Sequence, residues 1–198
     1  MFDVERWRLL RDDEARDAES WARICDEYGR LGRRPYAERK IRYQVASEWM
    51  RREGLADHHT VVDVGAGWTE LDFCLRTEHE WRGRYVPVDG WLDGTGLDSW
   101  SPARSFEWFV ALEILEHLHD PFRLLRELMK SATAGVVVTT PNPFVHDLSL
   151  DPTHITPITQ EMLEDFGLTT SLHNLYGDPD DGIAGVWRSD HHEGPIGC

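Results

Sequence analysis

Short apolar runs, separated by stretches with helical spacing of apolar residues, dominate the chain from residue 60 onward. The runs lie at 61–64, 84–89, 106–112 and 134–140, and most are rich in β-branched or aromatic side chains. Runs of this kind predict strands, and a run that is apolar throughout predicts a strand covered on both faces. Strands that alternate with helices form a mostly parallel, doubly wound sheet.

Two helices are predicted before the first strand. One runs from Glu14 to about Leu31, and the other runs from Tyr36, directly after Pro35, to Arg52. The buried side of the second helix is expected to consist of Ile41, Val45, Trp49 and Met50. A basic group among the surface positions of these helices is interpreted as a solvated face, and it comprises Arg30, Arg33, Arg34, Arg39, Lys40 and Arg42.

Further helices are expected after Thr69, after Pro121 and from Thr159 to Phe166. Near the end of the chain, 168–176 and 183–188 predict a hairpin, because the segment between them has turn composition. Residues 97–100 predict either a short strand or a turn. The predicted fold class is therefore α/β: a Rossmann-like, doubly wound sheet, mostly parallel with a C-terminal antiparallel hairpin, preceded by two N-terminal helices.

The elements divide the chain into an N-terminal helical cap at 1–57, a Rossmann-like domain at 58–188 and a flexible tail at 189–198. The length of 198 residues suits one ordinary domain core. The net charge of −15 argues against a long contact with nucleic-acid phosphates. The sequence has no run of about 18 apolar residues and no apolar secretion signal, so we expect a cytoplasmic protein that binds neither membrane nor nucleic acid.

The glycine turn 65–67 follows the first predicted strand and precedes a helix. This order is typical of nucleotide cradles, although a tight turn alone would look the same. The second strand ends at Asp89, where a carboxylate can accept hydrogen bonds from both ribose hydroxyls. Asp89 could instead cap a turn before Gly90. The next residue, Trp91, offers a ring face for a base.

Several motifs occur in a fixed order between residues 61 and 186. They read V-V-D-V-G-A-G, V-P-V-D-G, V-A-L-E-I-L-E-H-L-H-D-P and V-V-V-T-T-P-N-P. In these motifs the chain resembles the class I S-adenosylmethionine (SAM)-dependent methyltransferases, in their small-molecule branch. It departs from the family at Thr69, which replaces the usual third glycine and follows the bulky Trp68.

The resemblance implies SAM as the cofactor and S-adenosylhomocysteine (SAH) as the product. It places Gly65, Ala66 and Gly67 along the methionine moiety, and it places Asp89, with Gly90 and Trp91 beside it, at the ribose. The remaining cofactor residues that it implies are Leu97 and Asp98 at the adenine, Leu112 and Glu113 at the amino acid end, and Asp63, which orients the glycine turn or receives the methionine ammonium through water.

Methyl transfer from a sulfonium is a direct displacement, and an acceptor that must lose a proton needs a base, for which histidine is suited. The candidates are His117, after the run 106–112, and His154, in the long loop 141–157, with His146 third. Either histidine could instead serve only packing. The group Glu116, His117, His119 and Asp120 contains metal-ligand types, but neighbouring helical positions point in different directions, so we expect no metal.

The favoured function is SAM-dependent methyl transfer to a small-molecule acceptor by a monomer or homodimer. The alternative is a non-catalytic protein of the same fold that binds the cofactor or a partner, which the replacement of the third glycine motivates. A nicotinamide-dependent oxidoreductase fits less well, because the chain lacks the later glycine of the dinucleotide fingerprint. Turnover of an acceptor separates the first two hypotheses.

Overall fold

The strands form one six-stranded sheet in the order β2-β1-β3-β4-β6-β5 in a computed structural model, which describes residues 36–67, 69–90 and 95–189. Strands β1 to β4 are parallel neighbours, whereas β6 is antiparallel to both β4 and β5. The strands are β1 (Thr60–Val64), β2 (Arg84–Val88), β3 (Phe106–Leu112), β4 (Ala132–Pro141), β5 (Thr169–His173) and β6 (Gly182–Arg188). This arrangement confirms the predicted fold class.

The described helices are α1 (Tyr36–Arg52), α2 (Glu70–His79), α3 (Pro121–Ser131) and α4 (Gln160–Asp165), with 3-10 turns at Leu115–His117 and Leu148–Leu150. The predicted helix at 14–31 and residues 190–198 of the predicted tail lie outside the described residues. Ser189 is described, and it is buried with its N–H donating to Ala134 O at 3.0 Å. None of the helices within the described ranges has the length and apolar character needed to cross a membrane.

Each face of the sheet is covered by helices. On one face Val62, Phe109 and Val136 belong to a core that includes the apolar sides of α3 and α4. On the other face Trp108 and Val137 belong to a core that includes α1 and α2. Side chains alternate between the faces along a strand, so β1, β3 and β4 need apolar residues throughout.

The buried side of α1 differs in part from the prediction. Met50 and Val45 are buried as expected, but Ile41 is 40% exposed, and Tyr43 and Ser47 are buried in its place. The reason is that α1 packs on α2 as well as on the sheet. Two polar side chains of α1 therefore find partners on α2: the Tyr43 hydroxyl donates to Glu70 at 2.8 Å, and Ser47 Oγ lies 2.8 Å from His79 Nε2.

Two of the arginines that were assigned to a solvated face are directed into the protein, which makes that interpretation wrong for them. Arg39 pairs with the buried Glu70, and the Arg42 guanidinium lies 3.9 Å from the Glu113 carboxylate. The long arginine side chains reach past the surface of α1 to an acid at the start of α2 and to an acid just after β3.

Of the two alternatives for residues 97–100, the structure has the turn, closed by the Trp100 N–H donating to Gly96 O at 3.0 Å.

Candidate functional site

The glycine turn lies at the carboxyl edge of the sheet, between the ends of β1 and β2. Gly65 and Gly67 have φ values of 77° and 50°, and the Gly65 N–H donates to Val88 O at 2.7 Å. A Cβ on Gly65 would lie 1.9 Å from Ile114 Cδ1. At Gly67, a Cβ would come no closer than 3.9 Å, to Gly65 O, among the described residues. The positive φ disfavours other residues at both positions, and at Gly65 the Ile114 side chain would also have to move, whereas at Gly67 the described residues leave space near the backbone.

Asp89 joins the second strand to the glycine turn. Its side chain is buried, and Oδ2 accepts a hydrogen bond from Gly67 N–H at 2.8 Å. A carboxylate at this position is typical of nucleotide-binding sheets, where it accepts from ribose hydroxyls. The structure thus places the Asp89 carboxylate against the glycine turn at Gly67. The role of Asp89 at a ribose stays a prediction.

Asp63 lies in β1, one residue before the end of the strand, and its side chain contacts the neighbouring strand β2. Tyr85 OH donates a hydrogen bond to Asp63 Oδ2, and the carboxyl group is buried. Burial, with further contributions from Asp89, Glu70 and Asp72, raises the pKa of Asp63 to about 7, although the Tyr85 hydrogen bond acts in the opposite direction. The acid that hydrogen-bonds to Gly67 is Asp89. Contact of Asp63 with the methionine ammonium stays a prediction.

Thr69 occupies the position of the family's third glycine and has a left-handed backbone. Its φ is 60°, its side chain is buried, and its Oγ1 has no hydrogen-bond partner among the described residues. A β-branched residue is strained in this conformation. The departure seen in the sequence therefore has a local energetic cost at the start of α2.

Replacing Thr69 by glycine is expected to raise the free energy of unfolding by about 1 kcal/mol. Relief of about 1–2 kcal/mol of backbone strain and removal of a buried unpaired hydroxyl outweigh the chain entropy of glycine and the lost methyl burial. Urea unfolding measures the change. The matched control is Thr77→Gly in the right-handed interior of α2, where the same replacement should destabilise. A loss of stability at both positions would contradict the assignment of strain.

The proposed adenine end is fixed by α3 and the segment before it. Asp98 Oδ1 accepts the His119 N–H at 2.9 Å, and Oδ2 lies 3.2 Å from His119 Nδ1. Arg123 donates to Leu97 O at 2.7 Å and to Trp100 O at 3.0 Å. These bonds anchor the turn 97–100. The roles of Leu97 and Asp98 at an adenine stay predictions, Gly90 is exposed beside Asp89, and Trp91 lies outside the described residues.

The end of β3 is fastened to β4 and faces α1. Leu112 is buried, and Glu113 has a φ of 57° with its N–H donating to Thr139 O at 2.9 Å. Glu113 Oε1 accepts from Thr139 Oγ1 at 2.7 Å, while Oε2 lies 3.9 Å from Arg42. The Arg42 guanidinium also lies 5.2 Å from the centre of the Tyr176 ring. A carboxylate, a guanidinium and an aromatic ring therefore lie close together just after β3.

Glu116, His117 and His154 form a cluster just beyond this point, and one ligand atom from each lies within 4.8 Å of the other two. The Glu116 backbone carbonyl accepts the N–H groups of Ile155 and Thr156, which positions the loop that carries His154. The structure thus brings together both predicted catalytic histidines. Proton transfer by either histidine stays a prediction.

Glu116 is the member of the cluster to which the sequence assigned no role. Its side chain is buried, Oε2 accepts from Thr140 Oγ1 at 3.2 Å, and Oε1 has no hydrogen-bond partner among the described residues. Burial first, and the charge of Glu113 second, raise the pKa of Glu116 well above its usual range. The sequence signal that could have identified Glu116 as a site residue was its position shortly after β3, next to His117.

Polar residues of the long loop orient the two histidines. His117 Nδ1 lies 3.1 Å from Thr153 O and 2.9 Å from Thr153 Oγ1. The Thr153 hydroxyl donates to Asp151 at 2.6 Å, so it accepts from the His117 Nδ1–H and leaves Nε2 with the lone pair. His154 Nε2 lies 3.9 Å from Asp151 Oδ2, and its Nδ1 is buried without a hydrogen-bond partner among the described residues.

The remaining candidates lie beside the cluster. His146 stacks on Tyr176 with ring centres 4.3 Å apart, and its ring centre is 6.5 Å from that of His154. His119 is exposed with Asp98, and Asp120 caps α3 by accepting the Arg123 N–H at 2.9 Å. Of Glu116, His117, His119 and Asp120, only Glu116 and His117 belong to the cluster.

No protein-family model matches the sequence. No curated protein matches it. Solved structures, in contrast, match along most of the chain. One of them is a chain of the complex between the Haloferax volcanii Trm112 methyltransferase activator and a methyltransferase. This match has a TM-score of 0.61 and 14% identity, and it covers 89% of this chain and 97% of that one.

Two further matches have similar extents. A SAM-dependent methyltransferase from Aquifex aeolicus has a TM-score of 0.53 and 14% identity, and the match covers 94% of this chain and 98% of that one. The plantazolicin methyltransferase BpumL in complex with SAH has a TM-score of 0.54 and 11% identity, with coverage of 92% and 95%. The chain therefore has the fold of class I SAM-dependent methyltransferases, which confirms the fold that the motifs implied.

Proposed function

We propose that this protein binds SAM and transfers its methyl group to a small-molecule acceptor. The observation that carries the proposal is the hydrogen bond between Asp89 and Gly67. It joins the acid that would bind the ribose to the glycine turn, at the carboxyl edge of a sheet of this fold. Open α/β sheets bind ligands at this edge. The methionine part would lie along the turn 65–67, and the ribose would lie at Asp89.

The charges around the turn suit this cofactor. The side chains of Asp89 and Glu113 follow directly on the carboxyl ends of β2 and β3. SAM carries a sulfonium and an ammonium, which an acid-lined cleft attracts. In the reaction the acceptor atom forms a bond to the methyl carbon as the carbon–sulfur bond breaks, and the electron pair of that bond stays on sulfur, giving SAH.

The acceptor would lie beyond the end of β3, where Glu113, Arg42 and Tyr176 meet. The loop 141–157 borders this position, since Ile155 and Thr156 donate to Glu116 O. The loop also exposes four apolar side chains, Phe144, Val145, Leu150 and Ile155. Apolar side chains on a loop at the cleft can cover an acceptor and exclude water, which helps a direct displacement.

Calorimetric titration with SAM and SAH, with NAD as a control, tests the cofactor proposal. We expect both adenosyl ligands to bind and NAD not to bind. Folded protein that binds none of the three would overturn the proposal. An acceptor panel with SAM then tests turnover through the formation of SAH.

Asp89→Ala is expected to weaken SAM binding by about 1.5–3 kcal/mol, because hydrogen bonds to a charged acceptor are lost. Asp89→Asn should lose less, since an amide oxygen can still accept the Gly67 N–H. The control is Asp165→Ala, an exposed acid at the end of α4, which should leave the affinity unchanged. Wild-type affinity in folded Asp89→Ala would contradict the ribose assignment.

A second candidate function is non-catalytic binding of a partner by the same fold. The observation that favours it is the exposure of the loop residues, with Phe144 83% exposed and Leu150 74% exposed, since clustered exposed apolar side chains can form an interaction surface. One structural neighbour was solved in a complex with a methyltransferase activator. Cofactor binding without turnover over a broad acceptor panel would favour this second function.

A further inference from the structure

We propose that Glu116, His117 and His154 form a binding site for one divalent transition-metal ion, with Zn²⁺ as the reference ion. One ligand atom from each residue lies within 4.8 Å of the others. The two ligands from the 3-10 turn, Glu116 Oε1 and His117 Nε2, are 3.9 Å apart. Ligands bound to Zn²⁺ at about 2.1 Å are themselves about 3–4 Å apart, so only a small approach of His154 closes the site.

Two of the buried ligand atoms accept or donate no hydrogen bond within the described residues. Glu116 Oε1 and His154 Nδ1 form no hydrogen bond among the described residues, and the two side chains are 1% and 9% exposed. Buried polar atoms of this kind are nearly always paired in folded proteins. A metal ion between them would satisfy both atoms at once, which hydrogen bonds within the described part of the chain do not do.

The residues around the cluster already orient the ligands as a metal site requires. His117 donates its Nδ1–H to Thr153, so the Nε2 lone pair faces Glu116. Thr140 donates to the second oxygen of Glu116, and Asp151 lies 3.9 Å from Nε2 of His154. Metal-binding histidines usually hydrogen-bond through their other nitrogen, as His117 does, and a ligating carboxylate is usually hydrogen-bonded as well, as Glu116 is.

The ligand types select the class of ion. Two imidazoles with one carboxylate suit Zn²⁺, Mn²⁺, Fe²⁺ or Co²⁺, whereas Mg²⁺ and Ca²⁺ prefer oxygen ligands alone. Arg42 lies beside Glu113 rather than within the cluster, so it balances the charge of Glu113. Three protein ligands leave a position open, as in catalytic zinc sites, and this position would lie beside the proposed acceptor.

This proposal replaces the expectation that the chain holds no metal. That expectation considered only the consecutive residues 116–120, whose side chains diverge, whereas the third ligand comes from the loop after β4. The two histidines would then be ligands rather than proton acceptors. The metal site does not require that the protein bind SAM, so the two proposals can fail separately.

Metal titration of the full chain tests the proposal. After dialysis against EDTA and then against chelator-free buffer, the protein is titrated with Zn²⁺, Mn²⁺ and Mg²⁺ by calorimetry. We expect one Zn²⁺ per chain, at least a hundredfold weaker binding of Mg²⁺, and an increase in Tm with Zn²⁺. Glu116→Gln and His154→Ala should each lower Zn²⁺ affinity at least a hundredfold and abolish the increase in Tm.

The matched control is His119→Ala, because His119 lies two residues from the cluster but is 84% exposed and outside it. This variant should bind Zn²⁺ as the wild type does. Asp89→Ala should also retain Zn²⁺ while losing SAM affinity, which separates the two sites. Absence of stoichiometric Zn²⁺ binding, or binding that survives in both Glu116→Gln and His154→Ala, would overturn the proposal.

Discussion

Replacing Asp181 by alanine is expected to lower the free energy of unfolding by about 3–5 kcal/mol, because three backbone N–H groups lose a charged acceptor. The Asp181 side chain accepts from Leu175 N at 2.6 Å, from Asp178 N at 2.7 Å and from Tyr176 N at 3.1 Å. The residue is 1% exposed, so water cannot easily replace the carboxylate. Urea unfolding of the variant and the wild type measures the loss.

Asp181→Asn keeps one acceptor oxygen and should lose about half as much as the alanine variant by the same hydrogen-bond energies. Asp178→Ala is the control, because that side chain is exposed in the same turn and only its N–H contributes to the network. A loss below about 1 kcal/mol in Asp181→Ala would show that the turn does not depend on the carboxylate.

The turn around Asp181 also supports the candidate site. Asn142 donates its N–H to Asp181 O and its side-chain amide to Asp180 O, both at 2.8 Å. Asn142 is the first residue after β4, so these bonds fix the start of the loop that carries His146 and His154. Tyr176, whose N–H donates to Asp181, stacks on His146. Loss of the turn would therefore loosen one wall of the cleft as well as the sheet edge.

Asp63→Asn is expected to stabilise the protein by a few kcal/mol above pH 8 and to have little effect near pH 4. Burial raises the pKa of Asp63 from 3.8 to about 7, so the folded chain keeps a proton that the unfolded chain releases. Below pH 3.8 both states hold the proton and the carboxyl group costs nothing. As the pH rises to 7 the penalty grows, to at most about 4 kcal/mol for a shift of about 3 pKa units.

Urea unfolding at pH 5, 6, 7, 8 and 9 measures the difference between the variant and the wild type. A constant offset from the new amide shifts every value equally, so the slope with pH is the decisive quantity. Tyr85→Phe provides the matched variant, since it removes the hydrogen bond that lowers the pKa of Asp63 and should move the pH dependence upward. A difference that is independent of pH would contradict the raised pKa.

The strands and helices could be predicted because their signals are local. The bounds of α1 and β3 agree with the sequence patterns, since each follows a turn or proline and has regular apolar spacing. The buried side of α1 could not be read fully from that spacing. Tyr43 and Ser47 are buried because their hydroxyl groups hydrogen-bond to Glu70 and His79 on α2. Since α2 begins 18 residues after α1 ends, the residue spacing within α1 does not contain this information.

The site was predictable in part for a related reason. Asp89 and the glycine turn each follow a strand directly, so the parallel sheet places them together. The groups that lie against the acids come from other elements: Tyr85 beside Asp63, Arg42 beside Glu113, and the loop residue His154 near Glu116. The spacing of residues within one element does not show such pairs. The cluster depends on the packing of the loop 141–157 against Glu116, which the sequence alone does not reveal.

The contact of Ile114 with Gly65 bears on how far apart the two proposed sites can lie. Ile114 fills the space beside Gly65, and two residues later the same segment supplies Glu116 and His117. The short segment 114–117 would therefore set the separation between the proposed cofactor position and the ion proposed at the cluster. A change in the length of this segment would alter the space between the two proposed sites without rebuilding the sheet.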